Sequence, residues 1–167
     1  EGAGIIDIGG ESTRPGAKEI SVEEQIERTV PVIEGIRQTS DIPISIDTRH
    51  AIVAKAAVKA GADIVNDVSG GSFDPDMLST VAQLGVPIVL MHMRGTPESM
   101  QNMTTYDDVV EDVVNGLLDR SKEAEKAGIP RWIQVLDPGI GFAKDINGNL
   151  LLLKKFATIR SKVGGVP

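Results

Sequence analysis

Three times along this sequence a helix-compatible run closes on a glycine and gives way within a few residues to a short apolar stretch: Ala60-Gly61 before Ile64, Leu84-Gly85 before Ile88, and Ala127-Gly128 before Ile133. A glycine in the left-handed region ends a helix without a Cβ penalty, and a short β-branched run bounded by such signals reads as a buried strand. Each strand then breaks into polar residues and a new helical periodicity. The repeating unit is strand then helix, which demands parallel strands with helices packed outside the sheet.

Five such units can be laid along the chain. Ile5 to Ile8, around Asp7, is the first strand and reads as buried on both faces; Gly9 and Gly10 turn it into a loop. A capping box from Ser21 to Glu24 opens a helix with Val22, Ile26, Val30, Ile33 and Ile36 at spacings of three and four, and Pro31 is a candidate kink. Ile44-Ser45-Ile46-Asp47 is the second strand, its alternation putting Ser45 and Asp47 on one face. An alanine-rich helix from about Arg49 to Ala60 follows, then a third strand from Ile64 to Asp67. Asp74-Pro75 reads as N-cap and first residue of a helix through Met77, Leu78, Val81 and Leu84. Pro87 to Met91 is the fourth strand. Tyr106, Val109, Val110, Val113 and Leu117 mark a longer helix, Ile133 to Leu136 the fifth strand, and Leu150 to about Lys162 the last helix.

The same phase recurs at both ends. Gly2 stands to Ile5 as Gly61 stands to Ile64, and Gly164-Gly165-Val166-Pro167 sits where another strand is due. Five units in 167 residues is about 33 each, so eight need about 267, close to the usual size of an eight-stranded barrel. The expected fold class is therefore α/β, a (β/α)8 TIM barrel with about five of its eight strand-helix units present. Residues 1–167 are expected to be the central part of a single barrel domain, truncated at both ends.

Composition limits the partners. Hydrophobic residues at 41% and charged residues at 25% fit a globular chain, no apolar run approaches the length of a membrane helix, and no signal-peptide pattern opens the sequence. The absence of cysteine removes disulfide and thiolate chemistry and is compatible with a reducing compartment. A net charge of −7 speaks against a nucleic-acid surface, so the expectation is no nucleic acid and no membrane, and any anion site must be local.

Barrel chemistry belongs at the carboxyl ends of the strands, where loops vary above packed layers. Here those ends read Gly9-Gly10-Glu11, Asp47-Thr48, Asn66-Asp67, Met91-His92 and Asp137-Pro138. If Asp47, Asn66 and Asp137 face inward, they form an acceptor-rich floor with one amide, suited to a flat heterocycle with N–H groups along one edge; clustered carboxylates also suit a divalent cation. Each has a plainer use as well. Asp47 fits a cap on the next helix, Asn66-Asp67 a turn, and Asp137-Pro138 the start of a turn. On the first loop, Ser12, Thr13 and Arg14 offer hydroxyl and guanidinium donors to an anion. Met91 reads as packing or as a thioether against a ring, Phe142 as a stacking residue, and His92 as a satisfied core histidine. With His50 the only other histidine, no histidine zinc site is expected. Lys144 and Arg94 read as solvated loop charges, and a buried Asp7 would need a partner.

The segments Ile6-Asp7-Ile8-Gly9-Gly10-Glu11-Ser12-Thr13-Arg14-Pro15-Gly16-Ala17, Ile46-Asp47-Thr48, Asn66-Asp67-Val68-Ser69-Gly70, Met91-His92-Met93-Arg94-Gly95 and Leu136-Asp137-Pro138-Gly139-Ile140-Gly141-Phe142 together resemble the dihydropteroate synthases of folate biosynthesis. From Gly95 to Leu150 the wording is similar to eukaryotic, fungal members, where this domain is part of a multifunctional folate enzyme. The resemblance implies a transferase that joins p-aminobenzoate to 6-hydroxymethyl-7,8-dihydropterin diphosphate, releases pyrophosphate, uses Mg2+ and is the target of sulfonamides. It implies that Asp47, Asn66 and Asp137 read the pterin edge, that Met91 and Phe142 line its pocket, that Thr13 contacts the diphosphate, and that Ser12, Arg14 and Pro15 shape the aminobenzoate site. Asp47, Asp137, Thr13 and Arg14 are then the candidate catalytic residues. It further implies a homodimer at full length and a cytoplasmic, or in a eukaryote mitochondrial, location.

Two departures from the family pattern matter. The Asn that helps hold Mg2+ on the first strand, and the Lys, Arg and His of the last strands, have no counterpart in this sequence, so no metal ligand is expected within the chain and the piece alone is expected to be inactive. Ala143 also stands where a glycine is common. A pterin-binding methyltransferase domain is the rival enzymatic reading, disfavoured by Thr13 to Gly16, and a non-catalytic barrel module is the other.

Overall fold

The computed structural model describes residues 2–14, 19–97 and 99–164. Strand and helix alternate up to the last unit, which ends in two helices: β1 Ile6–Gly9, α1 Val22–Arg37, β2 Ile44–Asp47, α2 Ala51–Ala60, β3 Ile64–Asp67, α3 Met77–Leu84, β4 Ile88–Met91, α4 Val109–Lys126, β5 Gln134–Asp137, α5 Ile146–Lys154 and α6 Phe156–Lys162. The five strands form one parallel sheet in the order β1-β2-β3-β4-β5. Every strand lies beside its sequence neighbours and the order never reverses, so the winding is that of a (β/α)8 barrel rather than a doubly wound sheet.

Register assigns each strand residue to a face. In-register neighbours of a parallel pair point the same way, so Gly9, Asp47, Asn66, Val89 and Val135 form one row and Met91 with Asp137 lies above it on the same face. The other face carries Ile44, Ile46, Val65, Asp67, Ile88, Leu90, Gln134 and Leu136, all buried under the helices. The dry core is therefore the space between sheet and helices, closed by Ile33, Val53, Ala54, Ala57, Val81, Val113, Leu117 and Leu152. The opposite face is half-exposed at Ile64, Asn66, Val89, Val135 and Asp137.

That asymmetry corrects the reading of the first strand as buried on both faces. β1 is at the sheet edge, Ile6 and Ile8 are half-buried, and Asp7 is exposed on the open face. The helix-closing glycines Gly61, Gly85 and Gly128 all have positive φ, as the sequence pattern demands.

Boundaries shift where side chains find other partners. Asp74 does not cap α3, which starts at Met77; its Oδ1 accepts from the Asp76 amide at 2.9 Å and its Oδ2 from the Ala51 amide at 2.8 Å, so it satisfies the start of α2 instead. α4 begins only at Val109, because Asp108 accepts from the Val110 and Glu111 amides; Tyr106 lies outside it. The last helix is two, α5 and α6, broken at Lys155, and Asp145 caps the first through the Gly148 amide. Ser21 accepts from the Glu24 amide at 3.1 Å, the expected start of α1, and Pro31 lies inside that helix. Among the described residues no helix is long and apolar enough to cross a membrane.

Candidate functional site

The open face of the sheet gathers Asp7, Ser45, Asp47, Asn66, Met91 and Asp137. Asp7 finds the partners its position calls for: Ser45 Oγ donates to Oδ1, and Asn66 Nδ2 approaches Oδ2 at 3.4 Å. Asp47, one strand further in, keeps Oδ1 buried and without a hydrogen-bond partner among the described residues. Burial, then repulsion from Asp7 and Asp67, pushes its carboxyl up to about 7. With Asp74 closing the start of α2, Asp47 is free of the capping role that its place before Thr48 suggested. An orphaned acceptor in a half-buried position is what a ligand N–H would complete.

Asn66 and Asp67, adjacent in sequence, divide the two roles proposed for them. Asn66 faces the open side, whereas Asp67 is fully buried on the helix side and accepts from the Ser69 amide and hydroxyl, both at 2.7 Å, and the Gly71 amide at 3.0 Å. Burial raises the Asp67 pKa, opposed by those hydrogen bonds. Asp137 does both jobs at once: Oδ1 accepts from the Gly139 amide at 2.7 Å, which starts the turn, and the residue is half-exposed at the top of β5 beside Met91. Met91 is buried at 4% exposure, and Phe142, in the following loop, is half-buried.

His92 is a satisfied core histidine. It is buried, Nδ1 lies 3.2 Å from Lys144 Nζ, and burial with the charges of Lys144 and Arg94 pushes it down to about 4. The reading of Lys144 and Arg94 as solvated charges is corrected by this corner of the molecule. Lys144 is 5% exposed, and burial pulls its ammonium down to about 8 against the opposing attraction of Asp137. Arg94 pairs with Asp112 at 3.1 Å, donates to the Thr105 carbonyl at 2.9 Å and lies 3.8 Å over the ring of Tyr106.

On the other side of the site, the loop after β1 carries Ser12, Thr13 and Arg14. Ser12 and Arg14 are exposed and Thr13 is half-buried; the Arg14 amide approaches Ser12 Oγ at 3.4 Å. Pro15, expected to shape the aminobenzoate site, lies outside the described residues. The base of this loop holds a feature the sequence did not disclose. Glu11 Oε2 pairs with Arg49 Nη2 at 2.8 Å, with both side chains under 10% exposed, and Arg49 in turn lies 4.2 Å over the ring of Phe73. A cleft of about 100 Å3 lies against this pair, between Ser12, Phe73 and Thr96-Pro97. Glu11 and Arg49 are 38 positions apart, and only the register of β1 beside β2 brings them together.

The whole chain, residues 1–167, matches the family described as pterin binding enzyme. It is 52% identical over 163 residues to the folic acid synthesis protein fol1 of Pneumocystis carinii, covering 96% of this chain and 22% of that protein. It is 48% identical over 159 residues to the dihydropteroate synthase of Synechocystis sp., covering 95% of this chain and 55% of that one. The chain thus spans little more than half, or less, of these curated relatives. Its fold superposes on the Yersinia pestis dihydropteroate synthase solved with a sulfonamide drug complex at TM-score 0.95 and 39% identity, over 99% of this chain and 59% of the other. Family and fold agree with the geometry of the open face, and this chain belongs to the pterin-binding enzymes.

Proposed function

We propose that this chain supplies the pterin floor and the first substrate loop of a dihydropteroate synthase, which condenses p-aminobenzoate with 6-hydroxymethyl-7,8-dihydropterin diphosphate. The observation that carries the reading is the placement of Asp47, Asn66, Met91 and Asp137 on one open sheet face, at the carboxyl ends of consecutive strands. Asp47 and Asp137 accept from the N–H edge of the pterin, and Asn66 adds an amide that can both donate and accept. Met91 and Phe142 cover the ring. Thr13 meets the diphosphate, and Ser12, Arg14 and Pro15 border the aminobenzoate.

In the reaction, the bond between the pterin methylene carbon and the diphosphate oxygen breaks, the electron pair leaving with pyrophosphate. The aniline nitrogen attacks the methylene and releases its proton. Asp47 and Asp137 are fixed acceptors for the pterin on whose methylene positive charge develops, an electrostatic role that needs no movement at the moment of reaction. Because Asp47 titrates near 7, its ability to accept falls as pH drops below that value.

The same reading includes Mg2+, which takes one or two carboxylates, water and substrate phosphate oxygens rather than an all-protein cage; bound with the diphosphate, it would neutralise the charge that develops on the leaving group. It also includes a homodimer and a cytoplasmic or mitochondrial location.

The test is pyrophosphate release by the full-length protein with and without p-aminobenzoate, together with calorimetry of Asp137→Ala. Release that depends on p-aminobenzoate, and loss of pterin binding in the variant, are expected. Wild-type pterin affinity in Asp137→Ala would sink the assignment of the floor.

A further inference from the structure

Two cations are buried among the described residues, Arg49 and Lys144. Arg49 has the Glu11 carboxylate; Lys144 makes no ion pair, yet its ammonium is held at three points. Nζ donates to the Phe142 carbonyl at 2.8 Å and to the His92 carbonyl at 3.2 Å, and lies 3.2 Å from His92 Nδ1. A lysine ammonium has three N–H donors and no acceptor, so these three partners saturate it. The third contact requires a neutral imidazole with its proton on Nε2, and burial keeps His92 neutral across the physiological range. Gly116 of α4 lies against that ring, where a Cβ would stand 2.6 Å from His92 Cδ2.

The acceptors sit where the site needs stiffness. Phe142 is a wall of the proposed pterin pocket, and His92 directly follows Met91, the other wall. Around the ammonium, the His92 amide donates to the Asp137 carbonyl at 2.9 Å and the Tyr106 hydroxyl donates to the Ala143 carbonyl at 2.9 Å. The loop 138–144 is thereby tied to the end of β4 and to the segment before α4. Lys144 is the only one of these ties that joins the Phe142 carbonyl to β4.

We propose that Lys144 is a positioning residue for the pterin half of the site: its ammonium fastens the loop carrying Phe142 to the carboxyl end of β4, and so fixes Phe142 relative to Met91 and Asp137. With all three donors engaged, it serves neither as a nucleophile nor as a proton carrier. This inference rests on the functional reading above, and its test is chosen to separate the two. Misplacing a binding wall by about 1 Å is enough to cost up to 100-fold in an enzyme.

The experiment compares full-length wild type with Lys144→Met and Lys144→Gln. It measures affinity for 6-hydroxymethylpterin by calorimetry, KM for each substrate, and the thermal midpoint. Expected is a loss of pterin affinity of about tenfold or more in Lys144→Met and a smaller loss in Lys144→Gln, whose amide keeps two donors, while KM for p-aminobenzoate moves less than about twofold. Unchanged pterin affinity, or equal losses for both substrates, overturns the role. If neither variant folds, Lys144 serves folding alone and the positioning role is equally overturned. A wild type that binds pterin but fails to release pyrophosphate with p-aminobenzoate refutes the synthase reading and leaves the calorimetric comparison decisive for Lys144; a wild type that binds no pterin refutes both.

Discussion

The loop after β5 and the loop after β1 border the same open face, yet their described residues are held in different ways. The first is fastened along its length: Gly139 to Asp137, Ala143 to Tyr106, and Phe142 through Lys144 to His92. The second is fastened at its base by Glu11, which pairs with Arg49 and accepts from the Ile20 amide at 3.3 Å, while Ser12 and Arg14 stand exposed. On the function proposed above, a flat pterin whose edge must be read suits the fastened wall, and the exposed Ser12 and Arg14 side chains suit the aminobenzoate. The difference predicts that substitutions after β5 act through stability and affinity for the pterin ring together, and that substitutions of Ser12 and Arg14 in the β1 loop act on p-aminobenzoate rather than on the pterin ring.

The hardest blow to the rigid side should be Gly139→Ala. A Cβ there would stand 2.1 Å from the His92 carbonyl oxygen, at φ +68, so both the backbone just after β4 and the turn itself resist it. Relief by side-chain rotation is impossible because the obstacle is main chain. A loss on the order of 4 kcal/mol is expected in a denaturant titration of the full-length protein. A loss below about 1 kcal/mol would mean that the loop is far looser than its hydrogen bonds imply.

At the base of the other loop, Glu11→Gln leaves the Arg49 charge buried without its counter-ion, a change worth about 3 kcal/mol of stability. The denaturant midpoint checks it, and the comparison sharpens if KM for the second substrate rises while pterin affinity holds. Replacing both members, as Glu11→Met with Arg49→Met, should recover much of the stability, because the desolvation cost of two ions disappears with them.

A smaller effect of opposite sign belongs to Ala143, the only non-glycine residue at positive φ among the described residues, at φ 50 and fully buried. Ala143→Gly should stabilise the folded state by up to about 1 kcal/mol, the cost of a Cβ in the left-handed region less the extra entropy of an unfolded glycine. Thermal unfolding decides it, and a loss of stability would show that the methyl packs better than its backbone suffers.

How much of this was legible beforehand follows from what kind of signal each feature leaves. The helix-closing glycines and apolar runs reported the strand-helix units because each is local. Asp47, Asn66 and Asp137 were recognisable because they recur at one phase of successive units, and register then places them on one face. The Glu11–Arg49 pair and the Lys144 clamp left no such trace. Their partners are 38 and 52 positions away, and a lone lysine in a glycine-rich loop looks like any solvated charge until the chain is folded around it. The burial of β1 is illegible for a related reason: composition cannot tell a strand face packed under helices from the one that carries Asp7 beside Ser45. Asp74 departs from its sequence pattern because one carboxylate oxygen reaches across to the start of α2 while the other takes the Asp76 amide, outside α3.

Titration of the floor separates the two sides without touching either loop. Asp47 is raised to about 7 first by burial and next by Asp7, so Asp7→Asn should move its midpoint to lower pH, observable by carboxyl-carbon NMR. The linkage sign follows: between the ordinary 3.8 and about 7 the folded state holds a proton that the unfolded chain has released, so stability falls as pH rises through that window, and Asp7→Asn should flatten the fall. Pterin affinity should rise over the same window as Asp47 becomes an acceptor, with its midpoint shifted to lower pH in the variant. Arg14→Ala, at an exposed position of the β1 loop, should leave that profile and the stability within about 0.5 kcal/mol of wild type while raising KM for p-aminobenzoate. A shift of the pterin profile in Arg14→Ala would break the division, because an exposed side chain that moves the titration of the floor is coupled to it through structure that the exposed side chain of Arg14 does not offer.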